Sequence, residues 1–215
     1  ALVAKRRRKK ALLVGIGYPN EEPQFRLRCA VNDATDLNEE LKEWGFETTL
    51  VVDPHTDGNT LREKKKEFVA SLKAGDKCVF YFAGHGVEAE VTIGQGSEHS
   101  NWLLSSDLPT RSPAGKEELP WKAIDAMKLL GECEAATGDK GINIFILDCC
   151  RERPSFFERA PATRGLEDNG GERFGDLSSS GSYIAFACKP GELACDGAHD
   201  DRNGIFTGEL LRVLK

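Results

Sequence analysis

A histidine set between two glycines, Gly84-His85-Gly86, and a doubled thiol, Cys149-Cys150, directly after Asp148 are the groups in this chain best suited to covalent chemistry. An imidazole near a thiol can take its proton and leave a thiolate, the nucleophilic form of cysteine. The flanking glycines keep bulk away from His85, and the one that follows can offer a bare N–H at close range. Each tip ends an apolar run, KCVFYFA before the histidine and INIFILD before the thiols, so both emerge at one edge of a sheet. Alternation along the second run puts Asp148 and Cys150 on one side and Cys149 on the other. That favours Cys150 as the nucleophile and leaves Cys149 as a packed core thiol. Taken singly, a histidine or a cysteine has an ordinary structural use. The order His then Cys at two strand tips is what singles them out.

Elements able to position these tips follow from the apolar pattern. Strand-length runs rich in β-branched and aromatic residues lie at Ala11–Gly17, Glu47–Val52, Lys77–Ala83, Ile142–Asp148 and Ser182–Cys188. They are apolar almost throughout, as strands covered on both faces are. Helical spacing recurs at Ala34, Leu37, Leu41 and Trp44, with Gly45 as a stop signal. A capping box, Thr60 to Glu63, opens a second helix that Gly75 is placed to end, and Pro120 precedes a third with Ile124, Met127 and Leu130. A last helix runs from about Phe206 to Leu214. The alternation predicts one doubly wound α/β domain with right-handed crossovers. Gly84–Pro120 is read as a polar stretch with one short strand at Trp102–Leu104, and Glu152–Gly181 as a long polar loop. Ligands in such folds bind beyond the carboxyl ends of the strands.

Composition excludes several partners. The 215 residues carry 29 basic and 35 acidic side chains, a formal charge of −6. Six of the bases form one run, Lys5 to Lys10, and the rest of the chain carries 23 basic against 35 acidic groups, a balance of −12. Such a body repels phosphate, so no nucleic acid is expected as partner. No apolar stretch approaches the ~20 residues that cross a bilayer, and no membrane association is expected. Seven cysteines without a CxxC pair, and no signal peptide, point to a reducing compartment, and a cytoplasmic protein is expected. The histidines (55, 85, 99, 199) lack ligand spacing to cysteine, so no metal is expected. Gly15-Ile-Gly17 offers a weak phosphate-binding pattern that lacks a third glycine and a helix start.

These residues together resemble the clan of cysteine peptidases that holds caspases, metacaspases and paracaspases. The markers are KKALLVGIGY, LRCAVNDATDL, YFAGHG, ILDCC, FACKPGE and NGIFTGELL, spread over essentially the whole chain. DCCRER and FACKPGE, with Glu192 four residues after Cys188, lean toward paracaspases, while NDA is equally at home in metacaspases. The Gln-Ala-Cys-x-Gly signature of caspases is missing. The resemblance implies a single caspase-like α/β domain, its mostly parallel central sheet flanked by helices on both faces. Its parts would be a basic linker at 1–10, a large-subunit-like part at 11–151, an intersubunit-like loop at 152–181 and a small-subunit-like part at 182–215 without the last strand.

The implied activity is cleavage after Arg or Lys in protein or peptide substrates, with His85 as general base or acid and Cys150 as nucleophile. Gly86 would supply an oxyanion-hole N–H. Asp33, Asp148 and Glu192 would form an acidic pocket for the cationic side chain, since a guanidinium in a cleft needs carboxylates. Each acid also has a plainer use: Asp33 beside a helix N-terminus, Asp148 as an acceptor at a strand tip, Glu192 in a turn. Self-processing could fall at Arg153, Arg159, Arg164 or Arg173, or in the basic run. No cofactor is expected, calcium activation being a metacaspase trait, and monomer and homodimer stay open. A non-catalytic scaffold of the same fold, binding peptides without cutting them, is the alternative.

Overall fold

A computed structural model describes residues 7–93, 96–108, 115–149, 181–188, 196–197 and 201–215. Five strands, β1 (Lys9–Gly15), β2 (Glu47–Val52), β3 (Lys77–Gly84), β7 (Ile142–Cys149) and β8 (Ser182–Phe186), form one sheet in the order β2-β1-β3-β7-β8. Every neighbouring pair in it is parallel. The near-continuous apolar runs are explained by cover on both faces. On one face Leu12, Val14, Phe80, Phe82, Phe145 and Leu147 meet α2 (Gly58–Ser71) and α4 (Ala126–Thr137). On the other, Leu13, Val79 and Tyr81 meet α1 (Ala30–Glu43) and Leu211 of α5 (Ile205–Leu214). The α/β class and the parallel sheet between helix layers are therefore present as expected.

Local signals explain where most elements stop. Gly45 takes the left-handed backbone after α1 (φ 78°), and Phe46 N–H returns to Leu41 O at 2.9 Å. Helix α2 is capped three residues before the expected position, Thr60. Asp57 is its cap, accepting from Asn59 N and Thr60 N at 3.1 Å each, and Thr60 hydroxyl donates to it instead of capping for itself. Gly75 lies past the end of that helix, where its N–H donates to Thr137 O at 2.7 Å.

The stretch from Gly84 to Pro120 corrects the sequence reading. It holds two strands of a second sheet, β4 (Gly86–Ile93) and β5 (Gly96–Leu104), which with β6 (Ala123–Asp125) just beyond it pair antiparallel in that order. Val87, Ala89 and Val91 alternate inward onto Trp102, Leu104, Leu108 and Leu119. The two-residue period of GVEAEVTI was present in the sequence, and its glutamates face away from that small core. Pro120 does not start a helix. It sits inside the short α3 (Gly115–Lys122), Ile124 belongs to β6, and Asp125 caps α4 through Met127 N and Lys128 N at 3.0 Å.

The basic run also enters the fold. Arg8 pairs with Asp76, and Lys10, 8% exposed, donates to Glu47 at 2.6 Å from within β1. Those two cations thus close the entry edge of the sheet, and the linker expected through residue 10 gives way to strand at Lys9. Among the described residues no helix is long and apolar enough to cross a membrane.

Candidate active site

His85 stands between the two sheets, after β3 and before β4. Its Nε2 lies 2.7 Å from Phe25 O, in the short 3-10 turn Pro23–Phe25. A carbonyl can only accept, so Nε2 carries the proton and Nδ1 is left as the basic nitrogen. Burial pushes the imidazole below its ordinary pKa, partly offset by the Phe25 bond, which keeps it neutral and ready to accept a proton. Gly86, the expected oxyanion donor, follows as the first residue of β4. Leu104 N–H donates to His85 O at 2.9 Å, so His85 and Leu104 form a hydrogen-bonded pair and Gly86–Leu103 a non-bonded one. The pleat therefore turns the Gly86 N–H away from β5.

The tip of β7 separates its side chains as alternation requires. Cys149, 3% exposed, is built into the core beneath α2 and α4. Asp148 points the other way, toward α1 and α5, where its Oδ2 accepts from Thr207 Oγ1 at 2.6 Å. Thr207 also bonds to the buried Tyr81 hydroxyl at 2.7 Å. Cys150 and Glu192 lie outside the described residues, as do Arg153, Arg159, Arg164 and Arg173.

Asp33, on the first turn of α1, is 3% exposed and shares this face of the sheet. Its Oδ1 accepts from Gly204 N at 2.9 Å, and Gly204 is the N-cap of α5. The plainer use expected of Asp33, supporting a helix N-terminus, is thus real, but the helix is α5 and not its own. The positive end of α5 touches both acids, Asp33 through Gly204 and Asp148 through Thr207. That compensation is incomplete. Burial pushes Asp33 up to about 7 against the pull of Asn203 and Gly204, and it raises Asp148 against the pull of Thr207. Among the described residues no lysine or arginine is paired with either acid. Arg202 passes close by and is spent on Asp36, one turn further along α1, in a two-pronged pair at 2.8 and 2.7 Å.

A further acid, Asp196, was not legible in the sequence. Asp196 caps the start of α1, accepting from Arg28 N at 2.7 Å and Cys29 N at 3.0 Å, and its charge raises the pKa of both Asp33 and Asp148. Cys29 Sγ donates to Asp196 O at 2.9 Å, and burial beside this acid pushes the thiol up to about 11. The only local signal was a turn-forming Asp-Gly pair. The glycine pattern after β1 has a structural explanation. A Cβ on Gly15 would fall 2.5 Å from Ala30 O, and the Gly17 N–H donates to Asp53 Oδ2 at 2.7 Å. A carboxylate fills the place a phosphate would need. No cluster of three or more metal-ligating side chains occurs among the described residues.

The acids make stability pH-dependent. An unfolded aspartate titrates near ~3.9, so the fold binds the Asp33 proton more tightly than the unfolded chain does. Its contribution is fully present below that value and is lost as pH rises through about 7. The melting temperature is expected to fall from about pH 4 to about pH 7, and Asp33→Asn to flatten that slope, as read by thermal denaturation. An unaltered slope in the variant would remove Asp33 from this account.

A family model described as "Caspase domain" matches residues 8–215. Human "Mucosa-associated lymphoid tissue lymphoma translocation protein 1" is 27% identical over 198 residues, covering 92% of this chain and 20% of that protein. "Metacaspase-4" of Arabidopsis thaliana is 32% identical over 99 residues, 42% of this chain and 23% of the relative. The chain thus spans about a fifth of the length of these curated relatives. Protein GSU0716 from Geobacter sulfurreducens superposes with a TM-score of 0.63 at 18% identity, over 96% of this chain and 81% of the other, a likeness of fold.

Proposed function

Because this chain belongs to the caspase domain family, we propose that it is a cysteine endopeptidase that cuts after Arg or Lys. The observation that carries the specificity is the pair of carboxylates, buried Asp33 and half-buried Asp148, held on one face of the sheet with no described cation paired to them. A guanidinium entering between them supplies the charge that burial withholds, and two planar acceptors suit its fork. Glu192 and the charge of Asp196 add to the same end. A caspase-type acidic side chain would meet repulsion here.

The reaction pairs His85 with Cys150. The Cys150 thiol gives its proton to His85 Nδ1, and the thiolate attacks the scissile carbonyl carbon. The Gly86 N–H stabilises the oxygen as its charge develops. Collapse breaks the C–N bond, Nδ1 returns the proton to the departing amine, and a thioester remains. Water then gives a proton to Nδ1, attacks the thioester and releases the carboxylate product with the free thiol. Phe25 O holds the ring in the one tautomer that can do both transfers.

Fluorogenic peptides ending in Arg, Lys or Asp, offered to the native chain and to Cys150→Ala, test this directly. Cleavage after Arg or Lys that vanishes in Cys150→Ala is expected, each assay being run with calcium and with chelator. No cleavage under any condition would replace the enzyme with a peptide-binding scaffold. Cleavage after Asp would overturn the acidic pocket. A requirement for calcium would place the chain with metacaspases in its regulation.

A further inference from the structure

Tyr18, in the loop after β1, is given no task by the reaction just described. Its backbone is left-handed, with φ 54°, a conformation that side chains other than glycine adopt at a cost. The side chain is 1% exposed, and its ring lies 4.4 Å from the His85 ring, tilted by 38°. The hydroxyl accepts from His85 N at 2.9 Å and donates to Leu104 O at 2.8 Å. Both of its partners belong to one residue pair of the β4–β5 ladder. In an antiparallel ladder such a pair exchanges two direct N–H···O bonds. Here Leu104 N–H still reaches His85 O directly, but the phenol oxygen has entered the other bond. Two links of 2.9 and 2.8 Å replace one contact of about 2.9 Å. The ladder is therefore wedged open on one side, at the residue that bears the imidazole.

A tyrosine that only filled the core would need neither the hydroxyl bridge nor the strained backbone. We infer that Tyr18 is a positioning residue, whose hydroxyl is a spacer in the β4–β5 ladder and sets the His85 ring and the Gly86 N–H relative to the tip of β7. This rests on the reading of His85 as general base. The ring of Tyr18 supports the imidazole from the side, and Phe25 O fixes its far nitrogen, so three contacts from one loop determine where Nδ1 points. Without the hydroxyl, His85 N and Leu104 O can close on each other and draw the histidine toward β5.

Tyr18→Phe keeps the ring and removes only the spacer. A displacement of about 1 Å at a catalytic group costs on the order of 10²-fold in rate. The variant is expected to lose about that factor in kcat, with KM for an arginyl peptide within about two-fold, because the acidic pocket is untouched. In a Cys150→Ala background, the His85 backbone amide and ring nitrogen resonances are expected to move. A kcat within about two-fold of native together with unmoved His85 resonances would overturn the proposal. So would a loss of activity that only follows the fraction of chain unfolded, measured by thermal denaturation. The resonances need no turnover, so if the native chain cleaves no peptide the peptidase reading fails while the placement of His85 by Tyr18 is still decided.

Discussion

Replacing His85 by alanine is expected to cut kcat/KM toward an arginyl peptide by about 10⁴, the upper range for a positioned acid–base group. The size follows from how many steps pass through one atom. Nδ1 takes the thiol proton, hands it to the leaving amine and draws the next from water, and no other described base touches this place. Burial already holds the imidazole below its ordinary pKa, so the native enzyme does not have to shed a proton from it at neutral pH. The loss should fall on kcat, with KM for the same peptide little altered, because Asp33 and Asp148 belong to a different face of the site. Alkylation of the thiol by iodoacetamide should slow at neutral pH in the same variant, since its thiolate loses its partner. A residual rate within about ten-fold of native would remove His85 from the chemistry.

Neutralising one acid of the pocket is expected to cost between about 30-fold and about 4,000-fold in kcat/KM for arginine, from the roughly 2–5 kcal/mol typical of breaking a buried charge pair. Asp148→Asn and Asp33→Asn keep an oxygen for Thr207 and for Gly204, so the seat of α5 survives while the charge goes. Peptides with a neutral side chain should be cut no worse, and the change in their ratio to arginine is the decisive reading. Asp33 carries a further signature. Because burial pushes it up to about 7, the free enzyme should lose arginine cleavage as pH falls through that value. His85 titrates lower, so Asp33→Asn should shift the acid limb of kcat/KM downward. Bound arginine favours the ionised acid, and the limb of kcat should lie below that of kcat/KM in the native enzyme. Arginine cleavage that survives both substitutions would sink the pocket assignment.

Much of this arrangement was legible because it rests on buried periodicity. The five parallel strands are nearly all apolar, and the alternation in INIFILDC alone separated Asp148 from Cys149 correctly. The second sheet was missed for the opposite reason. Its strands bury one side only, and their glutamates lowered the mean hydropathy until the region read as loop, although Val87, Ala89 and Val91 kept the period. Phe25, Tyr18 and Asp196 were illegible in a stricter sense. Phe25 and Tyr18 act through a carbonyl and a hydroxyl bonded to residues far along the chain, Phe25 to His85 and Tyr18 to His85 and Leu104. Asp196 caps a helix 167 residues before it. No local pattern encodes such partners, since the chain that joins them carries no trace of the contact. The nucleophile was assigned from alternation and resemblance, and its own position lies outside the described residues.

The start of α5 has a wider consequence. What seats this helix is oily: Leu211 is buried against the cluster that holds Leu37, Leu41 and Tyr81. What the seated helix secures is ionic, because its first turn grips one acid from α1 and another from β7. Recognition of a charged substrate is thereby tied to a greasy contact one turn further along the same face of that helix. A substitution there that never approaches the substrate would blur the preference for arginine by letting the two acids drift apart, well before it unfolded the protein. Selectivity in this fold is stored in how one short helix docks.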